Sequence, residues 1–388
     1  MKRVVPVWLP DDVKSGVLTS WVPIANRINT DDIVFVTDAK EASKVFDARV
    51  ITSEEFLNTR KIYTPPLLNL GTSLDYMKQL NFLKQDRAFV FFHQLFIHRL
   101  IENIFLRNGS RQLNSLVRYG EVECGMIGKL LAEIGSKNGL TFDEYYIRTF
   151  AIQVAQLSIG YCSAWKGAAE LLAEESNSKE IKKKFIYLPP PFDASLAKYV
   201  VKKEAGDNVV KFALVGHKNL AKQPLFCMEI VRYLNELGLK SLLIGIGTIG
   251  DFLLEHAGPD DSYYFESVSA PEHGDFLSEL AKCDFVFHFR SPFGGEMPLT
   301  VCEGMALGVP PIGFDFGWLL DLPKDIWVSI KEDMRAKEAA QTILTIVQNR
   351  KKITSIKKKL LRYVREHSCE NYSVKAVKNI IGILRDWK

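Results

Sequence analysis

Three consecutive prolines, Pro189, Pro190 and Pro191, divide this chain into two stretches built the same way. Proline fixes φ and has no amide hydrogen, so such a run continues no helix and resists sheet pairing. On both sides of it, short β-branched or aromatic runs alternate with segments of helical apolar spacing. Before the prolines, "RVVPVWL", "DIVFVTD", "ARVIT", "RAFVFFH" and "QLSIGYCS" read as strands. "VLTSWVPIANRI", "HRLIENIFLRN" and "AWKGAAELLAEES" read as helices, and 110–150 as mostly helical. After them, "VVKFALVGH", "KSLLIGIG", "YYFESV", "DFVFHFR" and "PPIGFD" are expected strands. The expected helices there are "PLFCMEIVRYLNELG", "TIGDFLLEHAG", "HGDFLSELAKC" and "PLTVCEGMALG", with further helices in the tail. Strand–helix alternation is the pattern of parallel α/β sheets. At 388 residues the chain accommodates two such domains, expected at 1–190 and 208–365 with a linker at 191–207.

Composition excludes several classes. With 47% hydrophobic and 25% charged residues the chain is neither disordered, collagen-like nor a coiled coil. No apolar run approaches the roughly 18 residues of a spanning helix. Pro6, Pro10, Asp11 and Asp12 interrupt the N-terminal apolar run, so no export signal is expected and a cytoplasmic location is. The six cysteines, Cys124, Cys162, Cys227, Cys283, Cys302 and Cys369, form no CxxC and read as buried, reduced thiols. His93 and His98 belong to no HExxH-type motif, and no DxD occurs, so no metal is expected.

Charge is uneven. Residues 348–388 hold twelve Lys and Arg against three acids, whereas 251–280 holds eight acids and no Lys or Arg. A basic segment is a candidate for peripheral contact with an anionic membrane. It reads equally as a solvated helical face, because Ile353, Ile356, Leu360 and Val364 keep helical spacing. Aromatic interleaving is missing, so no nucleic-acid partner is expected.

Gly245, Gly247 and Gly250 make a formal GxGxxG between a strand and a helix, with Glu266 at the end of the next strand. That outlines a dinucleotide fingerprint and hence an oxidoreductase. The alternative is a glycine-rich turn that lets backbone approach a phosphate or a helix.

Four features follow one another in 210–320. They are the strand, glycine and basic loop "VVKFALVGHKNLAKQPL", the glycine-ended strand "LLIGIG", the helix-to-strand step "LAKCDFVFHFR", and the loop and helix "SPFGGEMPLTVCEGMALGVPPIGFDFG". This set resembles the C-terminal half of the GT-B glycosyltransferases, specifically retaining family four. "LSIGYCSAWKGAAELL" and "FIYLPPPFD" look like the last N-domain unit and linker of that family. The resemblance implies two Rossmann-like parallel-sheet domains facing across a cleft, with the C-terminal helix at 366–388 returning to the first. It implies sugar transfer from a nucleoside-diphosphate sugar to a glycan, lipid-linked or small-molecule acceptor, with retention and without metal or other cofactor.

By the same resemblance, Gly216 ends the first strand and Lys222 holds the donor diphosphate. The family's arginine beside the glycine is His217 here, with Lys218 as a substitute charge. The alternative is that both lysines are solvated loop lysines. Gly247 joins the donor loop, Glu303 matches the ribose-binding acid, and Met297, Pro298, Leu299 and Thr300 present backbone to diphosphate and sugar. Glu303 is equally what a helix dipole favours in a first turn. The family's sugar-contacting acid falls on Gly295, with Glu296 one residue later. Those departures leave a catalytically inactive module as the alternative. Gly16 is the one glycine of the first loop, on the acceptor and diphosphate side. His93, at the end of "AFVFFH", is placed either for catalysis or as a structural strand-end histidine.

Overall fold

The computed structural model describes residues 3–11, 16–71, 74–95, 97, 151–200, 208–259, 262–291 and 295–387. The expected helix "HRLIENIFLRN", the helical reading of 110–150, His98 and Cys124 lie outside the described residues. The chain forms two compact units. One is Met1–Pro191 with Gly294–Met297 and Cys369–Lys388, the other Phe192–Phe293 with Pro298–Ser368.

The first unit carries β1 (Val5–Trp8), β2 (Ile33–Val36), β3 (Val50–Ile51), β4 (Leu67–Leu70), β5 (Phe89–Phe92), β6 (Gly160–Ser163) and β7 (Phe185–Tyr187). They pair in the order β3-β2-β1-β4-β5-β6-β7, all parallel. Helices α1 (Gly16–Ala25), α2 (Ala42–Val45), α3 (Ser53–Thr59), α4 (Met77–Gln85), α5 (Ile152–Leu157) and α6 (Ala168–Ser176) connect them. The central strands are buried on both faces. Val7, Phe35 and Phe91 face one apolar cluster, while Trp8, Val36 and Phe92 face another. Such strands read as continuous apolar runs, which is why they stand out in the sequence. Pro6 sits inside central β1, yet costs no ladder bond. Val5 and Leu9 donate to the β2 side, so residue 6 faces β4, which begins to pair only at Val7. Strand β4 was not anticipated, because Pro65 and Pro66 precede it and read as loop. The Pro66 carbonyl still accepts from Phe89 N at 2.9 Å.

The second unit carries β8 (Val210–Val215), β9 (Ser241–Ile246), β10 (Phe265–Val268), β11 (Phe285–His288), β12 (Pro311–Phe314) and β13 (Val328–Ile330), ordered β10-β9-β8-β11-β12-β13 and parallel. Its helices are α7 (Pro224–Glu236), α8 (Thr248–His256), α9 (His273–Ala281), α10 (Leu299–Ala306), α11 (Ala336–Gln348) and α12 (Arg350–Glu366). Strand β13 is a further addition, too short at three residues to show a pattern. The strand order reverses between β8 and β11 here, and between β1 and β4 in the first unit. Ligands of open parallel sheets sit at the carboxyl ends of strands beside such reversals.

Residues after the prolines join the second unit directly. Phe192 is buried, bridges to Ser368, and meets the Tyr363 ring edge-on at 5.9 Å. The last helix, α13 (Ser373–Asp386), belongs to the first unit, burying Val374, Val377, Ile380, Ile381 and Leu384 in the cluster that holds Val5 and Val7. Each such side chain contributes roughly 1.5–3 kcal/mol of burial. Arg385 seals its end, 2.6 Å from Asp32 Oδ1.

In the basic segment, Ile356, Leu360 and Val364 of α12 face inward. Lys357 lies 3.8 Å from Asp284 and Lys359 2.9 Å from Asp325, while Lys351, Lys352 and Lys358 are exposed. Among the described residues no helix is long and apolar enough to cross a membrane. The described cysteines are all buried and form no disulfide with one another.

Candidate functional site

The carboxyl ends of β8 and β11 form an electropositive corner of the second unit. Gly216 directly follows β8, and its φ of +102° is strained for any other residue. Beyond it, Asn219 Oδ1 accepts from Ala221 N at 2.9 Å and closes a short turn at Leu220–Lys222. Gln223 then takes a left-handed conformation, and Pro224 opens α7. The turn folds Lys222 back under the strand end. Its Nζ donates to Val215 O at 2.6 Å and His217 O at 3.1 Å. An ammonium has three N–H donors, so one is left for a ligand. Burial pushes the Lys222 pKa down to about 8, with Arg290 adding repulsion.

Arg290 reaches this corner from β11. Ser291 N donates to Ala221 O at 2.9 Å, and Gln223 Nε2 donates to Ser291 O at 2.8 Å. These bonds hold the backbone that follows Arg290 against the Lys222 turn. His288 shares the corner and stays neutral: burial, then Arg290 and Lys222, push its pKa down to about 3. His217 is exposed and offers its carbonyl to Lys222 rather than its ring. Lys218 turns the other way, 2.6 Å from Glu255 Oε2 and over the Phe252 ring at 5.2 Å. The second cation at the corner is therefore Arg290, which the sequence reading did not single out. Its signal was a cation directly after the buried run "FVFHF".

The GxGxxG glycines are taken up by packing within the protein. A Cβ at Gly245 would lie 2.3 Å from Gly250 Cα, and one at Gly250 2.4 Å from Ser267 Oγ. This close approach lets α8 lie against β9 and β10. Ile249 N, in the first turn of α8, donates to Gly216 O at 3.1 Å. Gly247, at φ +93°, carries the chain between the two.

Glu303 lies on α10 with only 9% of its surface exposed. Its Oε1 is 2.7 Å from Nε2 of His273, the first residue of α9. That hydrogen bond raises the His273 pKa. One oxygen of Glu303 is thus engaged while the carboxylate keeps further acceptor capacity. His273 was not singled out either, since its tie to Glu303 spans 30 residues. Pro298 precedes α10 without a side-chain cap, and Leu299 and Thr300 form its first turn. The amide groups of a first turn have no partner within their own helix.

Gly295, Glu296 and Met297 group with the first unit. Gly295 has φ +72°, and a Cβ there would meet Leu95 Cβ at 2.6 Å. No acid fits at 295, and Glu296 beside it is buried.

In the first unit, Gly16 opens α1 and His93 follows β5. His93 Nε2 is 2.8 Å from Asn69 Oδ1, and its ring lies 3.9 Å from that of Phe91. Burial pushes the His93 pKa down to about 3. Among the described residues, no group of three or more His, Cys, Asp or Glu converges in a way that could hold a metal ion.

No family model matches the chain, and no curated protein matches it in sequence. Solved structures match it in shape. A glycosyltransferase from Rickettsia africae superposes with a TM-score of 0.66 at 13% identity, covering 100% of both chains. Anabaena Alr3699/HepE, in complex with UDP-glucose, gives 0.65 at 10% identity over 97% of this chain and 99% of its own. WaaG, a glycosyltransferase of lipopolysaccharide biosynthesis, gives 0.58 at 12% identity over 98% and 100%. With its two parallel sheets, the chain has the GT-B fold of these glycosyltransferases.

Proposed function

We propose that this protein is a glycosyltransferase that moves a sugar from a nucleoside-diphosphate sugar to a hydroxyl-bearing acceptor, with retention at the anomeric carbon. The observation that carries the reading is the pair of cations, Lys222 and Arg290, at the strand-order reversal of the second sheet. A diphosphate is a better leaving group when its developing charge meets fixed cations in a desolvated corner. Lys222 keeps one N–H for it, and Arg290 offers a planar fork suited to phosphate oxygens. Glu303 accepts from the ribose hydroxyls, and the first turn of α10 faces the phosphates. Glu296 takes the part of the sugar-contacting carboxylate, and His93 that of a hydroxyl partner on the acceptor side.

In the step itself, the bond from the anomeric carbon to the diphosphate oxygen breaks, and its electron pair stays on the diphosphate. The acceptor oxygen bonds to the same face of that carbon, and its proton passes to a leaving phosphate oxygen. No protein nucleophile is required. The UDP-glucose held by HepE, which shares the fold, supports a nucleotide-sugar donor. Contact with an anionic membrane belongs to the same proposal, supported by exposed Lys351, Lys352 and Lys358, and would suit a lipid-linked acceptor.

The test is a thermal-shift screen of UDP, GDP, ADP, NAD and the matching nucleosides, followed by donor hydrolysis with the UDP-, GDP- and ADP-sugars. A ligand that binds only the native state raises Tm. A diphosphate that stabilises well beyond its nucleoside, with slow release of sugar, is the expected result. Stabilisation by NAD alone, or by no nucleotide, overturns the reading.

A further inference from the structure

Asn69 lies in the middle of β4, fully buried, with its backbone N–H and both side-chain polar atoms engaged. Its backbone N–H donates to Gln79 Oε1 at 2.8 Å. Its Nδ2 donates to the Trp8 carbonyl at 2.7 Å, and its Oδ1 accepts from Trp21 Nε1 at 2.8 Å. His93 Nε2 approaches that same Oδ1, also at 2.8 Å.

The amide cannot be turned round. Reversal would set its NH2 against the indole N–H, which only donates, and its oxygen against the Trp8 carbonyl, which only accepts. The atom facing His93 is therefore an oxygen, and an oxygen acceptor requires a proton on Nε2. A neutral imidazole carries one N–H, so the lone pair is on Nδ1. No donor among the described residues approaches Nδ1.

We propose that Asn69 is a positioning residue: it locks His93 in the Nε2–H tautomer and so presents Nδ1 as a hydrogen-bond acceptor to a hydroxyl of the reacting ligand. The identity of that hydroxyl rests on the glycosyl-transfer reading; the lock does not. Burial of His93 keeps the ring uncharged at neutral pH. That hydrogen bond orients the ligand through a hydroxyl that keeps its own proton. Trp21 serves as the second strut, fixing the amide from the α1 side.

The experiment is long-range nitrogen-15 NMR of the full chain labelled at its seven histidines, with His93 assigned by the signals lost in His93→Gln. Wild type should show a protonated Nε2 and an unprotonated Nδ1 at neutral pH. Asn69→Asp keeps an oxygen acceptor toward Nε2, its second oxygen carrying a proton toward the Trp8 carbonyl, and should retain that pattern. Asn69→Leu should give mixed tautomers, and Trp21→Phe should leave the His93 pattern unchanged. In donor turnover, Asn69→Leu should lower kcat by about tenfold with little change in donor KM, and Asn69→Asp should restore part of it. A protonated Nδ1 in wild type, or an unchanged pattern in Asn69→Leu that folds by circular dichroism, overturns the lock. The expected pattern in a protein that turns over no nucleotide sugar upholds the lock and overturns the functional reading instead.

Discussion

A methyl group added at Gly216 would lie 2.6 Å from the ammonium nitrogen of Lys222. The end of β8 is open to that ammonium only because residue 216 has no side chain. Gly216→Ala should therefore cost about 1–3 kcal/mol of stability through its positive φ, and displace Lys222 as well. UDP binding should weaken more than uridine binding. Gly274, on exposed α9 with nothing within 4 Å of an added Cβ, is the control. Gly274→Ala should be neutral or stabilising by up to about 1 kcal/mol. Denaturant midpoints and calorimetric titration measure both.

Lys222 makes diphosphate binding depend on pH. With its pKa near 8 in the free protein, the ammonium is lost on the alkaline side. A bound diphosphate favours the charged form and raises that pKa, so binding takes up a proton just above pH 8. UDP affinity should be flat below that point and fall above it. Lys222→Met should weaken UDP by about 1.5–3 kcal/mol, spare uridine, and abolish the alkaline fall. For folding the sign runs the other way. The depressed pKa means the buried ammonium costs stability below pH 8, and that cost fades as pH rises toward its ordinary value of 10.5. Titrations in buffers of different ionisation enthalpy count the protons.

Arg290 adds to the forces that depress Lys222 and His288. Arg290→Gln should therefore do two things at once. It should weaken UDP by an amount comparable to loss of Lys222, and it should move the alkaline fall in affinity to higher pH. His217→Ala should do neither, because only the backbone of His217 meets Lys222. An unchanged pH profile in Arg290→Gln would place the guanidinium away from Lys222.

Glu303→Gln should weaken uridine and UDP alike, and weaken 2′,3′-dideoxyuridine less. It should also remove the carboxylate that raises the His273 pKa, so that His273 titrates at lower pH in the variant by NMR. In wild type, the stabilisation from this pair is present below the ordinary histidine value of 6.5. It is lost as pH rises through the raised pKa. Equal losses for uridine and its dideoxy analogue would remove Glu303 from the ribose.

Sequence alone determined the α/β alternation, since doubly buried parallel strands leave unbroken apolar runs between helical segments. It also put Gly216, Lys222 and Glu303 on the page, through their places in motifs that resemble those of a known family. It did not reveal β4, whose entry prolines imitate a loop, or β13, too short to show a period. Tertiary structure alone decided which charges and amides meet. Arg290 is set beside Lys222 by a bond between Gln223 and Ser291 that spans 68 positions. His273 reaches Glu303 across 30 positions, and Trp21 and His93 converge on Asn69 across 48 and 24. The physical reason is that parallel strands return their ends to one edge in an order fixed by how whole sheets bury their faces. A helix or strand is written in neighbouring residues, but the partner of a buried polar atom depends on which strand end lands beside it.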